Sequence, residues 1–246
     1  MAKTKDIIEK LEKIAPLETQ EDWDNSGWQI DLGIKTIKNV LLSLNVTTDT
    51  IHQAIKQNCE LIISHHPLIF KPLKSIKNKV IISAIQNKIQ IYSLHTNFDK
   101  SQIGTTQTLA DLFKKSLNLK TLKDLNDFVK IATLKEPIKS EDFILAIKNE
   151  LNLKNLKIAN PRQEIKSVAF CAGAGADFVQ EVKQHQIDCF ITSDIKYHQA
   201  LDSGIMLVDI GHFESEVISL KSIEKLLKSC DVNIIIAKEE PVFEIV

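Results

Sequence analysis

Short apolar runs alternate with amphipathic helical stretches along most of this 246-residue chain, and that alternation leaves few folds open. The runs at 40–44, 60–64 and 89–94 are apolar at almost every position. A strand without a polar face must be covered on both sides, which is the condition of a parallel sheet flanked by helices. Helical periodicity fills the gaps between them. Ile51, Ala54 and Ile55 share a face of the segment 49–58, 80–87 continues the pattern, and Leu109, Leu112 and Phe113 share a face of 106–117. Ahead of these, Ile7, Ile8, Leu11 and Ile14 line one helical face that Pro16 ends. Strands alternating with helices in this order predict an α/β fold built on mainly parallel sheets.

The plan occurs twice. With Val40 set on Val168, an offset of 128, Asp49 falls on Asp177, Ile51 on Val179, Glu60 on Asp188, Ile63 on Ile191 and Ser64 on Thr192. A second offset of 117 sets His95 and Asp99 on His212 and Glu216, each pair followed by an amphipathic helix, over 106–117 and 217–227. Between the copies, 128–134 reads as a strand, Ser140 as the cap of a helix over 141–151, and 156–159 as a further strand closed by Asn160-Pro161. The expectation is an internal duplication giving two similar βαβ-type lobes. The first spans 1–124 with a C-terminal strand at 232–246, the second 125–231, and the functional site lies between them.

Thirty-one basic residues meet 32 acidic ones, a net charge of −1, which argues against a general nucleic-acid or membrane-surface binder. No apolar run approaches the roughly 20 residues of a membrane span, and the charged amphipathic start is not a signal peptide. Cys59, Cys171, Cys189 and Cys230 are far apart and form no C-x-x-C pair. They read as reduced thiols of a cytoplasmic protein.

Five of seven histidines follow strand-like runs: His65, His66, His95, His198 and His212. In open α/β sheets ligands gather outside the carboxyl ends of the strands. His52 and His185 fall in helices among polar residues and read as surface. His65 and His66 are adjacent. On an extended strand their side chains point to opposite faces, so they serve one metal only if the chain turns there, or else two metals side by side. Pro67 biases His66 toward an extended exit. His95 with Asp99, and His212 with Glu216, carry a carboxylate four residues on, which is one face of a helical turn. Imidazole with carboxylate suits Zn²⁺, Fe²⁺, Mn²⁺ or Ni²⁺, and a carboxylate can bridge two ions.

Trp23-Asp24-Asn25-Ser26-Gly27, Ser64-His65-His66-Pro67, His95-Thr96-Asn97-Phe98-Asp99, Thr192-Ser193-Asp194-Ile195-Lys196-Tyr197-His198 and Gly211-His212 through Glu216 occur in that order. Together they resemble the GTP cyclohydrolase 1 type 2 homologues, the NGG-interacting-factor-like proteins, over nearly the whole chain. The short form, without an inserted middle domain, is the one matched. The resemblance implies two divalent metal ions per chain, held by His65, His66, Asp99, His212 and Glu216, with Glu216 as the bridge. It places His95 and His198 near the site and implies a ring-shaped homohexamer. Ser193 stands where the family often has glycine, and the turn Ala172-Gly173-Ala174-Gly175-Ala176 is altered from the family's.

The remaining motifs have plainer readings beside functional ones. Gly173-Ala174-Gly175 is a tight turn or a phosphate cradle, though it lacks a third glycine and a Walker lysine. Trp23 is a core or subunit-contact residue or a stacking surface for a base. Lys196-Tyr197-His198 is a polar strand end or a source of cation and proton. Two functions follow. One is a metal-dependent hydrolase of a nucleotide or other phosphorylated small molecule, with His95 and His198 moving protons. The other is a non-enzymatic metal-binding or partner-binding ring protein.

Overall fold

The computed structural model describes residues 1–244. The end of the expected C-terminal strand, Ile245 and Val246, lies outside the described residues. The chain forms two compact units. The first comprises Met1–Gly104 and Ser219–Glu240; the second comprises Thr105–Ile218 with the tail from Pro241.

The first unit is built on three parallel strands, Asn39–Ser43, Leu61–Ser64 and Gln90–Ser93. Strand Asn233–Ile236 adds in parallel beside Asn39–Ser43, and Gly27–Ile30 adds antiparallel beside Gln90–Ser93. Leu41, Leu42, Ile62, Ile63 and Ile91 are wholly buried, as strands covered on both faces require. Helix Thr48–Lys56 packs on the sheet through Ile51 and Ala54. Its start is fixed by Thr47, whose hydroxyl accepts the Thr50 amide at 3.2 Å while Thr50 Oγ1 accepts the Thr47 amide at 2.7 Å. Ile55, expected to face inward, is 38 % exposed in the last turn of the helix, whose buried face is carried by Thr50, Ile51 and Ala54. A two-stranded ribbon, Ala2–Lys3 with Thr36–Ile37, escapes sequence periodicity by its shortness.

The second unit repeats the parallel core as Glu164–Phe170, Cys189–Thr192 and Met206–Asp209. It too is flanked by an antiparallel strand that precedes it in the chain, Lys157–Ala159 beside Met206–Asp209. On its other side the antiparallel strands Lys130–Lys139 and Leu119–Asp124 take the place of a parallel one. Pairing register repeats as well: Val40 opposes Leu61, and Val168, 128 residues on, opposes Cys189. The third strands match at 116 rather than 117, since Gln90 corresponds to Met206 and Ser93 to Asp209. The additional residue before His212 is Gly211, whose φ of +87° lies where glycine is favoured.

The division falls at Gly104/Thr105 and Ile218/Ser219, where sequence patterning set 124/125 and 231/232. Helix Thr105–Ser116 explains the first difference. Leu109, Ala110 and Phe113 are wholly buried in one cluster with Val168, Phe170, Ile191 and Val208, and Phe113 stacks on Phe170 at 5.8 Å. Helix Leu220–Leu227 explains the second, packing in the first unit against Thr4–Ile14 and the strand Asn39–Ser43. Ser140 begins helix Ser140–Leu151 but does not cap it; the N-cap is Lys139, at the end of the preceding strand. Among the described residues no helix is long and apolar enough to cross a membrane.

Candidate functional site

In the first unit the parallel strands end in Ser43, Ser64 and Ser93, all wholly buried. Backbone pairing continues past the strand end, since the His65 and His66 amides donate to Ser43 O and Leu44 O at 3.0 and 2.9 Å. Ser64 Oγ donates to His66 O at 2.9 Å and is hydrogen-bonded to Ser93 Oγ at 2.8 Å, which bends the segment locally. The two imidazoles thereby come to one side, with ring centroids 4.9 Å apart, so the turn that a shared site demands is present. His95 follows the next strand, and its ring lies 5.3 Å from that of His65 and 5.6 Å from that of His66. One ring nitrogen from each of the three lies within 4.8 Å of the others. The helical turn Thr96–Asp99 carries Asp99 back to the cluster, its Oδ1 3.6 Å from His65 Nε2.

Each imidazole here is fastened at Nδ1. His65 Nδ1 donates to Leu94 O at 2.7 Å, His66 Nδ1 meets Asn45 Oδ1 at 2.8 Å, and His95 Nδ1 meets Asp24 Oδ1 at 2.7 Å. All three partners are oxygens, so Nδ1 is the donor of each ring. Asp24 does more than hold one ring. Its buried carboxylate also accepts the Thr96 amide at 3.0 Å, the Thr96 hydroxyl at 2.5 Å and the Ser26 hydroxyl at 3.1 Å. Burial raises its pKa, but the hydrogen bonds and the His95 charge outweigh that and hold the carboxyl well below the usual carboxylate range. Asp24 stands in a motif that sequence singled out, yet its role needed the tertiary structure, because 71 residues separate it from His95.

In the second unit His212 opens the turn His212–Glu216, directly after the third parallel strand. Its Nε2 is 3.1 Å from Glu216 Oε2, and its Nδ1 is 2.7 Å from Asp194 Oδ2. The hydrogen bond to Glu216 is the main cause raising the His212 pKa; burial opposes it, Asp194 adds to it, and the imidazole is pushed up to about 9. Glu216 is 5 % exposed, a depth at which a carboxylate needs a positive partner. Main chain passes closely beside it: a Cβ on Gly173, where φ is +66°, would stand 2.2 Å from Glu216 Oε1. That backbone is pinned in turn. Ser193 Oγ donates to Gly173 O at 2.5 Å and Thr192 Oγ1 to the same oxygen at 3.2 Å. Ser193 and Thr192 together thus hold the turn beside Glu216.

The other candidates are placed as follows. The Gly173 amide donates to Ser215 Oγ at 2.8 Å and the Gly175 amide to Thr192 Oγ1 at 3.0 Å, so Gly173-Ala174-Gly175 is a satisfied tight turn rather than a phosphate cradle. His198 is exposed on helix Tyr197–Asp202 with its ring edge-on to Tyr197 at 5.3 Å. Trp23 is 58 % exposed and therefore not a core residue. His52 and His185 are at the surface, as their polar neighbours imply. The donor sets fit divalent metal ions: imidazoles held at Nδ1, beside carboxylates, are the ligand and outer-partner pattern of such sites.

The chain is similar to known proteins over nearly its whole length. A GTP cyclohydrolase 1 type 2 homolog of Campylobacter jejuni is 34 % identical, covering 98 % of this chain and 99 % of its own. A GTP cyclohydrolase 1 type 2 of Helicobacter pylori strain J99 is 34 % identical over 88 % of each chain. The crystal structure of the Staphylococcus aureus hypothetical protein SA1388 superposes with a TM-score of 0.89 at 25 % identity, covering 100 % of this chain and 99 % of that one. The model of the Duf34/NIF3 (NGG1p interacting factor 3) family matches residues 2–241, and with that match the chain belongs to this family.

Proposed function

We propose that this protein binds two divalent ions through His65, His66, Asp99, His212 and Glu216, with Glu216 serving both, and hydrolyses a nucleotide or another phosphorylated small molecule. The observation that supports the reading is the fastening of Nδ1 in His65, His66 and His212 to oxygen acceptors, with Asp99 Oδ1 3.6 Å from His65 Nε2 and Glu216 Oε2 3.1 Å from His212 Nε2, so that each set joins imidazole to carboxylate. Zn²⁺, Fe²⁺, Mn²⁺ and Ni²⁺ all accept this mixture of nitrogen and oxygen donors. Such a pair of ions supplies Lewis acidity and lowers the pKa of water.

The chain's own residues do the rest. His65, His66 and Asp99 form one donor set and His212 with Glu216 the other. His95, oriented by Asp24, accepts a proton at Nε2 from the attacking group and returns it to the leaving group. His198 is the proposed second proton carrier. The relatives' name, GTP cyclohydrolase 1 type 2, favours a nucleotide as the substrate class. A cytoplasmic homohexamer is the assembly proposed from the family resemblance, and a monomer in light scattering at micromolar concentration removes it.

The test combines metal analysis with turnover. Wild-type protein loaded with each of the four ions is assayed against a nucleotide panel. His65→Ala loses metal and activity together, whereas His95→Ala and His198→Ala keep the metal and lose turnover. A metal-loaded protein that turns over no nucleotide, with the His95 and His198 variants matching wild type, refutes the hydrolase and leaves the non-enzymatic metal-binding protein.

A further inference from the structure

Two large aromatic side chains stand exposed beside the histidine cluster of the first unit. Trp23 is 58 % exposed and Phe70 45 %, with ring centroids 5.8 Å apart and planes tilted by 41°. Both rings also approach His95 edge-on, at 6.1 and 6.4 Å. Their backbones are tied together. Asn25 Nδ2 donates to Ile69 O at 2.5 Å, Gln29 Oε1 accepts the Ile69 amide at 2.9 Å, and Gln29 Nε2 donates to Asn25 O at 2.7 Å. The residue after Trp23 is Asp24, itself fastened to His95. Exposed apolar surface held on a fixed scaffold marks a binding surface, whereas isolated surface hydrophobes do not.

A second, independent feature lies in the same segment. No carboxylate occurs between Glu60 and Asp99, although the whole chain carries 32. Lys71, Lys74, Lys77 and Lys79 follow Phe70 directly, all exposed. An aromatic pair offers a π-face to any planar ring, and a lysine run free of carboxylates attracts phosphate.

We propose that Trp23 and Phe70 form a stacking platform for a planar heteroaromatic ring, and that Lys71 and Lys74 meet the phosphate attached to it. The ligand class is a mononucleotide, an assignment that rests on the phosphorylated-substrate reading of the site and locates its recognition element.

The chain has two tryptophans, so Trp28→Phe leaves Trp23 as the only indole reporter. Full-length Zn²⁺-loaded Trp28→Phe protein is titrated with GMP, guanosine and ribose 5-phosphate while indole fluorescence is followed. GMP quenches saturably, guanosine binds about tenfold more weakly, and ribose 5-phosphate does not quench. Adding Phe70→Ala weakens GMP about tenfold, within the range of single base–aromatic stacks. Adding Lys71→Gln with Lys74→Gln brings GMP down to the level of guanosine. Absence of saturable quenching, or quenching unchanged by Phe70→Ala, overturns the platform. So does a Trp23→Ala variant that dissociates the assembly in a protein whose indole GMP never quenches, because the pair is then a contact between copies. An oligonucleotide that displaces GMP at far lower concentration overturns the mononucleotide assignment in favour of single-stranded nucleic acid. Quenching without turnover of any nucleotide sinks the hydrolase and leaves the platform standing. Turnover with a KM indifferent to Phe70→Ala does the reverse.

Discussion

Replacing Gly173 with alanine separates the metal reading from simple stability. The added Cβ would stand 2.2 Å from Glu216 Oε1, 3.2 Å from its Cδ and 3.5 Å from His212 Nε2. Relaxed contacts need about 3.5 Å, so the carboxylate oxygen must retreat by roughly 1 Å. The side chain has the freedom to do so, and the fold survives. Metal–ligand distances tolerate only about 0.2 Å, so a retreat of that size removes Glu216 as a ligand. The backbone cost is separate: alanine at a φ of +66° costs about 1–2 kcal/mol. For a chain of this size that lowers the melting temperature by roughly 2–8 °C. The assay measures melting in EDTA, where metal linkage no longer contributes, and metal per chain by elemental analysis. The expected variant is folded by circular dichroism, melts within that interval below wild type, and holds far less metal. Wild-type metal content in a folded Gly173→Ala protein would refute both the bridging role of Glu216 and the reason given for the glycine.

Other consequences are open to direct measurement. Asp24→Ala deprives His95, Thr96 and Ser26 of a buried charged acceptor, and urea unfolding of the metal-free protein should show a loss of about 2–4 kcal/mol; a loss under 1 kcal/mol contradicts the network. Glu216→Gln keeps the shape and removes the charge, so elemental analysis should find a much lower metal ratio, and two retained ions per chain would end the bridging assignment. Burial, with a smaller push from Glu60, moves the Cys59 thiol up to about 11, and a group with its pKa there is thiolate in only about one molecule in a thousand at pH 8. Cys171 and Cys189 are also buried and Cys230 is partly exposed, so Ellman's reagent should find one fast thiol in the native protein at pH 8; three or four would mean that these cores open readily. Chelation should lower the melting temperature by mass action, by an amount that grows with the metal concentration set beforehand.

Much of this protein is written locally. The runs Val40–Leu42, Leu61–Ile63, Cys189–Ile191 and Met206–Val208 are apolar throughout, and strands with that composition have no stable place except inside a covered sheet. The offset of 128 follows from the same runs, and the strand register repeats it because apolar positions and pairing partners are set together. The histidines at the strand ends are legible for a related reason: strand termini in such a sheet are where ligands collect, and packing alone does not call for imidazoles there.

What the chain could not reveal by itself depends on groups far apart in sequence. Helix Thr105–Ser116 has the same apolar face whichever core takes it up, and only the shape left beside Phe170 assigns it to the second unit. Asp24 stands in a sequence landmark, but its role is set only when folding brings it 2.7 Å from His95. Asp194, Asn45 and the Leu94 carbonyl likewise acquire their parts by proximity, turning four histidines into oriented ones. Gly173 is an ordinary turn glycine in sequence, and its need for an absent side chain comes from a carboxylate 43 residues later arriving in the space. Residue type and spacing determine which groups can act chemically. Three-dimensional packing determines which nitrogen faces outward and which oxygen holds the other, because hydrogen-bond geometry is decided over a few ångströms that sequence distance does not measure.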